Sequence, residues 1–305
     1  KRIHSSDFIE YGRMGYILST ILFVLRAKEY CKPGSIIYTR DSFLGLINKG
    51  HILELHDMPR KINRFNIFLW KRASKFVVKT EFIKKMLSDQ GFNERNIKVV
   101  FNGVDTTAFY SIETKEEARR KLNLPQDKKI ILYSGTFYVH DWKGVNILLE
   151  ANKELSDDVL VILVGGTKDD VKKINNEYLW HNVKAYERVL NQEIPLFLRS
   201  ADVLILPNKK GNITSELYTS PLKLFEYMAS KTPIIASDLL SIKEVVNDEE
   251  VNFFTANDPH SLALTIKKIL SDLHMADSKA NKAFQKVQNF SWRNQAEKIL
   301  QFIKE

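Results

Sequence analysis

From Tyr218 to Asp238 the chain reads Tyr-Thr-Ser-Pro-Leu-Lys-Leu-Phe-Glu-Tyr-Met-Ala-Ser-Lys-Thr-Pro-Ile-Ile-Ala-Ser-Asp. The order implies a loop, a helix start and then a buried strand. Ser220 suits an N-cap and Pro221 the first helical position. Leu222, Phe225 and Met228 recur at helical spacing and predict one buried face. Lys223 and Glu226, three apart, are neighbours on such a helix. Backbone N–H groups at a helix start take phosphate, and a carboxylate beyond them can accept bonds from ribose hydroxyls. A nucleotide-diphosphate site is the chemistry these residues suit. The plain alternative is a capped helix with a surface Lys–Glu pair.

Other residues extend that chemistry. Tyr133-Ser-Gly-Thr-Phe137 ends a strand and Trp142-Lys143-Gly144 opens a helix. Gly135 permits a close turn and Lys143 presents a cation, both favourable to a diphosphate. Gly165 and Gly166 close another strand, where small residues admit a ligand. His56 follows the strand His51–Leu55, and Arg40-Asp41 follows another strand end. Arg40 next to Asp41 suggests a structural ion pair or, as the minority reading, an acceptor contact. No His, Cys or Asp cluster has metal-ligand spacing.

Pro-Leu-Lys-Leu-Phe-Glu-Tyr-Met-Ala at 221–229 resembles the donor-binding motif of family-4 glycosyltransferases, in particular members that build surface polysaccharides. The resemblance implies the GT-B fold, a nucleotide-sugar donor, retention of anomeric configuration, and no cofactor or metal. It assigns Glu226 to the donor ribose and Lys143 to the donor phosphates. His56, in Glu-Leu-His-Asp, is assigned to the donor sugar near its reacting carbon. His56, Lys143 and Glu226 are thus the expected catalytic residues. Gly135, Thr136, Gly165, Gly166, Pro221, Leu222 and Lys223 are expected around the donor, and Arg40 at the acceptor. Asn102-Gly-Val-Asp105 resembles a family signature at the interdomain crossing.

The sequence departs from the family twice. Thr136 stands where an arginine is common, and Lys223 is a candidate to replace part of its charge. The motif's first glutamate would fall at Tyr218, with Glu216 two residues earlier. These departures keep two alternatives open: a non-catalytic nucleotide-sugar-binding or scaffold protein, and a nucleotide-sugar epimerase.

The elements that must position these residues alternate between strand and helix, twice over. That pattern predicts an α/β protein with two Rossmann-like, doubly wound parallel-sheet domains facing a cleft. The expected boundaries are 1–112 for an acceptor domain, incomplete at its amino terminus, and 113–288 for the donor domain. Residues 289–305 are expected to form a helix crossing back to the first domain. The chain has 305 residues, one cysteine and a net charge of +9. A lone cysteine suits a reducing, cytoplasmic setting. The apolar run Tyr16–Leu25 is too short to span a bilayer and predicts a buried helix. Basic residues interleaved with Phe65, Ile67, Phe68, Leu69 and Trp70 between Arg60 and Lys85 suit an anionic membrane surface or, equally, a solvated helix face beside a core stripe. The first reading suits a peripheral position at the inner face; the family resemblance implies a saccharide or lipid-linked saccharide acceptor. No nucleic-acid recognition motif accompanies the charge.

Overall fold

The computed structural model describes residues 12–32, 34–59, 61–110, 113–137, 141–177 and 182–305. The chain divides into two compact units, Lys1–Val100 with Lys298–Glu305, and Phe101–Glu297. The sequence places its break after residue 112 instead. The Asn102–Phe109 segment is bonded into the second unit. Asn102 donates from its backbone to Ser220 Oγ and from Nδ2 to Ser220 O, and Val104 donates to Phe290 O.

The first unit holds α1 (Gly12–Ala27), β1 (Tyr38–Thr39), β2 (His51–Leu55), α2 (Arg64–Trp70), β3 (Ala73–Val78), α3 (Glu81–Asp89) and β4 (Ile97–Val99). Among the described residues its four strands pair in parallel in the order β1-β2-β3-β4. Ile52, Val77 and Val100 pack with Phe302 from the chain's end. Three expectations change here. The stretch Ser35–Thr39 predicts a strand, but only Tyr38–Thr39 pairs: among the described strands it lies at the sheet edge, and Ile36 is 70% exposed. The helix read as buried at Tyr16–Leu25 covers one face only. Val24 is buried, but Leu18, Ile21 and Leu25 are 45%, 48% and 57% exposed. Its main packing partner is the Ser42–Leu46 turn.

The third change concerns the basic region. It is not one surface. Lys79 is buried against Glu54, Lys75 donates to Phe302 O, and Lys84 and Lys85 pair with Glu94 and Asp89. What faces solvent on and beside α2 is Lys61, Arg64 and Lys71, next to the half-exposed Phe65 and Phe68. Arg60 lies outside the described residues. No helix among the described residues is long and apolar enough to cross a membrane.

The second unit runs α4 (Lys115–Lys121), β5 (Lys129–Ser134), α5 (Val145–Asn152), β6 (Val159–Gly166), α6 (Lys168–Glu177), β7 (Val183–Glu187), α7 (Ile194–Ser200), β8 (Val203–Leu206), α8 (Leu222–Ala229), β9 (Ile234–Ser237), α9 (Leu240–Lys243), β10 (Asn252–Phe254), α10 (Pro259–Ser271) and α11 (Leu273–Val287); α12 (Trp292–Lys304) begins in it, and its residues from Lys298 on belong to the first unit. Tyr178, read as the end of α6, lies outside the described residues. After β10 the sequence pattern predicts two closing helices, the second about Trp292–Ile303; three follow, α10, α11 and α12. Asp272 makes the extra break by accepting from Met275 N as the cap of α11.

Among the described residues the six strands are parallel in the order β10-β9-β8-β5-β6-β7. Apolar residues fill both faces, as a sheet covered by helices on each side requires. Ile130, Leu132, Ile162 and Leu204 join one core; Ile131, Tyr133, Val161 and Val203 join the other. The order has one physical consequence. The chain winds outward from β5 to β7, then returns to the far side of β5 as β8. The loops leaving β5 and β8 therefore diverge at one point, where ligands of such sheets bind.

Candidate functional site

The loop after β5 contains Gly135 and Thr136, and Lys143 lies in its short 3-10 turn Asp141–Lys143. Lys143 Nζ donates to Thr136 Oγ1 at 2.6 Å. From α8, Lys223 Nζ donates to Tyr133 Oη at 2.7 Å and lies 4.1 Å from that ring's centre. Tyr133 Oη donates in turn to Thr136 O at 3.0 Å. Two ammonium groups thus converge on the Gly135–Thr136 turn. Among the described residues neither has a carboxylate within ion-pair distance.

Charge in this corner is unbalanced. Burial lowers Lys223 well below the ordinary lysine value; the neighbouring Lys143 adds to that and Glu226 opposes it. Lys143 is lowered by burial and then by Arg188. Glu226 is raised by burial, with Lys223 opposing. Cations that repel one another at a strand-end turn are stabilised by an anion. Arg188 follows β7, and its backbone N–H donates to Gly166 O. It adds the third positive charge, and nothing in the local sequence singles it out.

Sequence reasoning also misses two tyrosines. Tyr133 couples Lys223 to Thr136, and Tyr227 fixes α8 on the sheet. The Tyr227 hydroxyl accepts from Ser134 N at 2.9 Å and is wholly buried. Both occupy ordinary core positions of a strand and a helix, so periodicity alone reads them as packing.

Several expected residues take different roles. Ser220 does not cap α8. Its Oγ accepts from Asn102 N, while Pro221 holds the cap position with no side-chain bond. The helix start is therefore free of a competing side-chain acceptor. Leu222 is 49% exposed; the buried face is Leu224, Phe225, Tyr227 and Met228. Lys223 turns toward Tyr133 instead of forming a surface pair with Glu226. Gly165 admits another stretch of chain, since a Cβ there would lie 2.7 Å from Gly135 O. At Gly166 it would lie 2.4 Å from the Phe137 ring. Both glycines thus seat the Gly135–Phe137 loop. Glu216 accepts from Gly211 N and closes its own loop. Tyr218 is buried. Glu226 lines a cavity of about 440 Å³ together with Leu222, Asp105, Phe109, Gln192 and Trp292. Gly135, Thr136 and Lys143 lie outside that lining.

In the first unit, the parallel register sets Arg40, His56 and Lys79 at the carboxyl ends of β1, β2 and β3. Glu54 gathers all three. Arg40 Nε lies 3.0 Å from Oε2, His56 Nε2 2.9 Å from Oε1, and Lys79 Nζ 2.5 Å from Oε1. The Tyr38 hydroxyl bonds the same carboxylate. Although burial opposes it, these donors hold Glu54 well below the usual carboxylate range. Arg40 therefore pairs with Glu54 and not with Asp41, which instead accepts from Phe43 N. Among the described residues no three of His, Cys, Asp or Glu are placed to hold a metal ion.

The sequence pattern of the family described as glycosyl transferases group 1 matches residues 114–286, more than half of the chain. The chain belongs to the group 1 glycosyl transferases. This group 1 member is 26% identical over 194 residues to a phosphatidyl-myo-inositol mannosyltransferase of Mycobacterium leprae. That match covers 62% of the chain and 50% of the relative. It is 25% identical over 291 residues to an uncharacterized 41.2 kDa protein in the cps region of Klebsiella pneumoniae, covering 84% and 77%. The first of these matches thus reaches only half of its relative's length. Among solved structures, Anabaena HepE in complex with UDP and glucose superposes with a TM-score of 0.75 at 19% identity, covering 97% of this chain and 83% of that one. Sucrose-phosphate synthase of Thermosynechococcus elongatus gives 0.76 at 21% identity, covering 96% and 79%. The group 1 chain shares their two-sheet GT-B fold.

Proposed function

We propose that this protein moves a sugar from a nucleoside-diphosphate-sugar to a hydroxyl of a saccharide or lipid-linked saccharide, as a retaining, hexosyl-type family-4 enzyme of polysaccharide biosynthesis. One observation carries the reading: Lys143 and Lys223 converge on Gly135–Thr136 at the switch point, with Glu226 one helical turn along α8. The family match and the UDP-bound HepE neighbour support it.

In this reading the bond between the anomeric carbon and the diphosphate oxygen breaks, and the acceptor oxygen bonds that carbon. The acceptor's proton leaves toward the departing diphosphate. Lys143, Lys223 and Arg188 neutralise the charge gathering on that group, and Glu226 accepts from the ribose hydroxyls. Such fixed charge is typically the largest catalytic contribution. Lys223 with Tyr133 serves in place of the arginine that Thr136 displaces.

The test is a thermal-shift screen of UDP-glucose, UDP-N-acetylglucosamine and GDP-mannose against the parent and Glu226→Ala. At saturating donor, roughly 100 times Kd, ligand adds about 2.7 kcal/mol to the parent, and the variant loses most of that shift. Turnover is followed as released nucleoside diphosphate. No shift with any nucleotide-sugar defeats the reading. A shift without turnover favours the second reading, a binding protein of the same fold, to which Tyr218 and Thr136 lend weight.

We further propose that the exposed Lys61, Arg64, Lys71, Phe65 and Phe68 rest on anionic lipid. Vesicles containing phosphatidylglycerol should sediment the protein and neutral vesicles should not. Replacing Lys61, Arg64 and Lys71 by Gln should weaken that binding about a hundredfold, at about 1 kcal/mol per basic residue. Equal sedimentation with both vesicle types refutes it.

A further inference from the structure

The Glu54 cluster has a consequence for His56 that the sequence does not disclose. Glu54 is 4% exposed and ionised, with Lys79 almost as deeply buried beside it. An ionised carboxylate accepts hydrogen bonds and donates none. His56 Nε2 lies 2.9 Å from Glu54 Oε1, so that nitrogen must carry the hydrogen. In the neutral ring the other nitrogen, Nδ1, then keeps its lone pair. Nδ1 has no hydrogen-bond partner among the described residues, on a side chain 38% exposed.

We propose that Glu54 is the positioning residue of His56. It locks the ring as the Nε2–H tautomer and turns Nδ1 outward as an acceptor. The group received there is a hydroxyl that donates, and a bare oxyanion is disfavoured. Paired carboxylates fix imidazole orientation in this way at other sites. The hydroxyl belongs to a sugar only if the transferase reading holds, on which this assignment of the ligand rests. The tautomer itself does not depend on that reading.

The neighbours make the lock firm. Arg40, Lys79 and the Tyr38 hydroxyl take up the other acceptor sites of Glu54, and the two cations keep it charged. The carboxylate is thereby held on both oxygens and cannot swing away from the ring. All three partners stand at strand ends, so the sheet sets their spacing without loop adjustment.

The experiment reads the ring nitrogens of His56 by nitrogen-15 NMR in the whole labelled protein at mildly alkaline pH. His56→Gln identifies the signals. The expected spectrum shows a protonated Nε2 and an unprotonated Nδ1. A protonated Nδ1, or an even mixture, overturns the proposal whatever the enzyme does. Glu54→Gln should release the lock and yield a mixture. That change leaves Lys79 buried opposite an amide, so Glu54→Gln/Lys79→Met is measured beside it. A folded double variant that keeps the pure Nε2–H form also overturns the proposal. With the donor that passes the thermal-shift screen, Glu54→Gln/Lys79→Met should lower kcat about tenfold or more and leave the donor's KM within twofold. Unchanged kcat removes the positioning role. If the tautomer is as expected and no nucleotide-sugar binds the parent, the transferase reading fails and the lock stands.

Discussion

Lys223→Met is expected to raise the melting temperature and to abolish most turnover. The two effects have one source. Lys223 places an ammonium in a poorly solvated corner where its hydrogen-bond partner is the Tyr133 hydroxyl and, after burial, the largest charge effect is repulsion from another lysine, Lys143. Without a bound anion that charge is a net cost, and methionine fills the same volume without it. A gain of about 1 kcal/mol corresponds to roughly 2–4 °C in a unit of this size. With donor bound, the same ammonium faces the diphosphate, and its loss should reduce kcat about 10²–10³-fold. Such opposition between stability and activity is common where function needs a strained group.

The pH dependence follows from the direction of the shift. Lys223 in the folded protein lies below the ordinary lysine value of 10.5, so the unfolded chain binds its proton more tightly. The cost is present in full below the folded value and fades as pH rises toward 10.5. The stabilisation from Lys223→Met should therefore be larger at neutral than at strongly alkaline pH. Differential scanning fluorimetry of parent and variant across that range measures it. A variant that is less stable at neutral pH, yet still binds nucleotide-sugar normally, would make Lys223 a structural cation.

Gly144→Ala should be the most damaging small change in the second unit. Gly144 caps α5 with φ 71° and ψ 22°, a left-handed conformation that costs an alanine about 1–2 kcal/mol. A Cβ there would also lie 1.8 Å from Pro207 O, in a backbone that has no rotamer to change. Relief requires the loop after β5 to part from the loop after β8, which breaks the Lys209 N–H bond to Trp142 O at 2.7 Å. The loss should be at least about 3 kcal/mol, or roughly 6–12 °C. Donor binding should weaken as well, because Lys143 is the adjacent residue. Gly211→Ala is the control. Gly211 also has positive φ, 95°, but nothing lies within 4 Å of its Cβ position. Thermal unfolding of both variants decides the matter. Equal losses would mean that the Gly144–Pro207 approach is not the cause.

Much of the site was legible in the chain because its chemistry is local. The Pro221–Ala229 run, Lys143 before Gly144 and His56 after β2 are short-range patterns, and each lies at the strand end or helix start expected for it. The alternation of elements was equally readable, since period-2 and period-3.6 apolar patterns depend on nearby residues alone. Other features depend on partners far away in sequence. Ser220 looked like a cap because its partner, Asn102, stands more than a hundred residues earlier. Arg40 looked paired with its neighbour Asp41, while β-sheet register gave it Glu54. Lys223 and Glu226 are neighbours in the sequence pattern, but the partner of the Lys223 ammonium is Tyr133, ninety residues earlier.

By itself the sequence determined the two runs of strand and helix and marked Lys143, Lys223 and Glu226 as the charged residues at a strand-end turn and a helix start. Only the tertiary structure decided that β8 returns beside β5, that Tyr133 joins the two lysines to Thr136, and that Glu54 binds His56, Arg40 and Lys79. Strand order and cross-strand register are set by burial of whole surfaces, and no short stretch of residues carries that information.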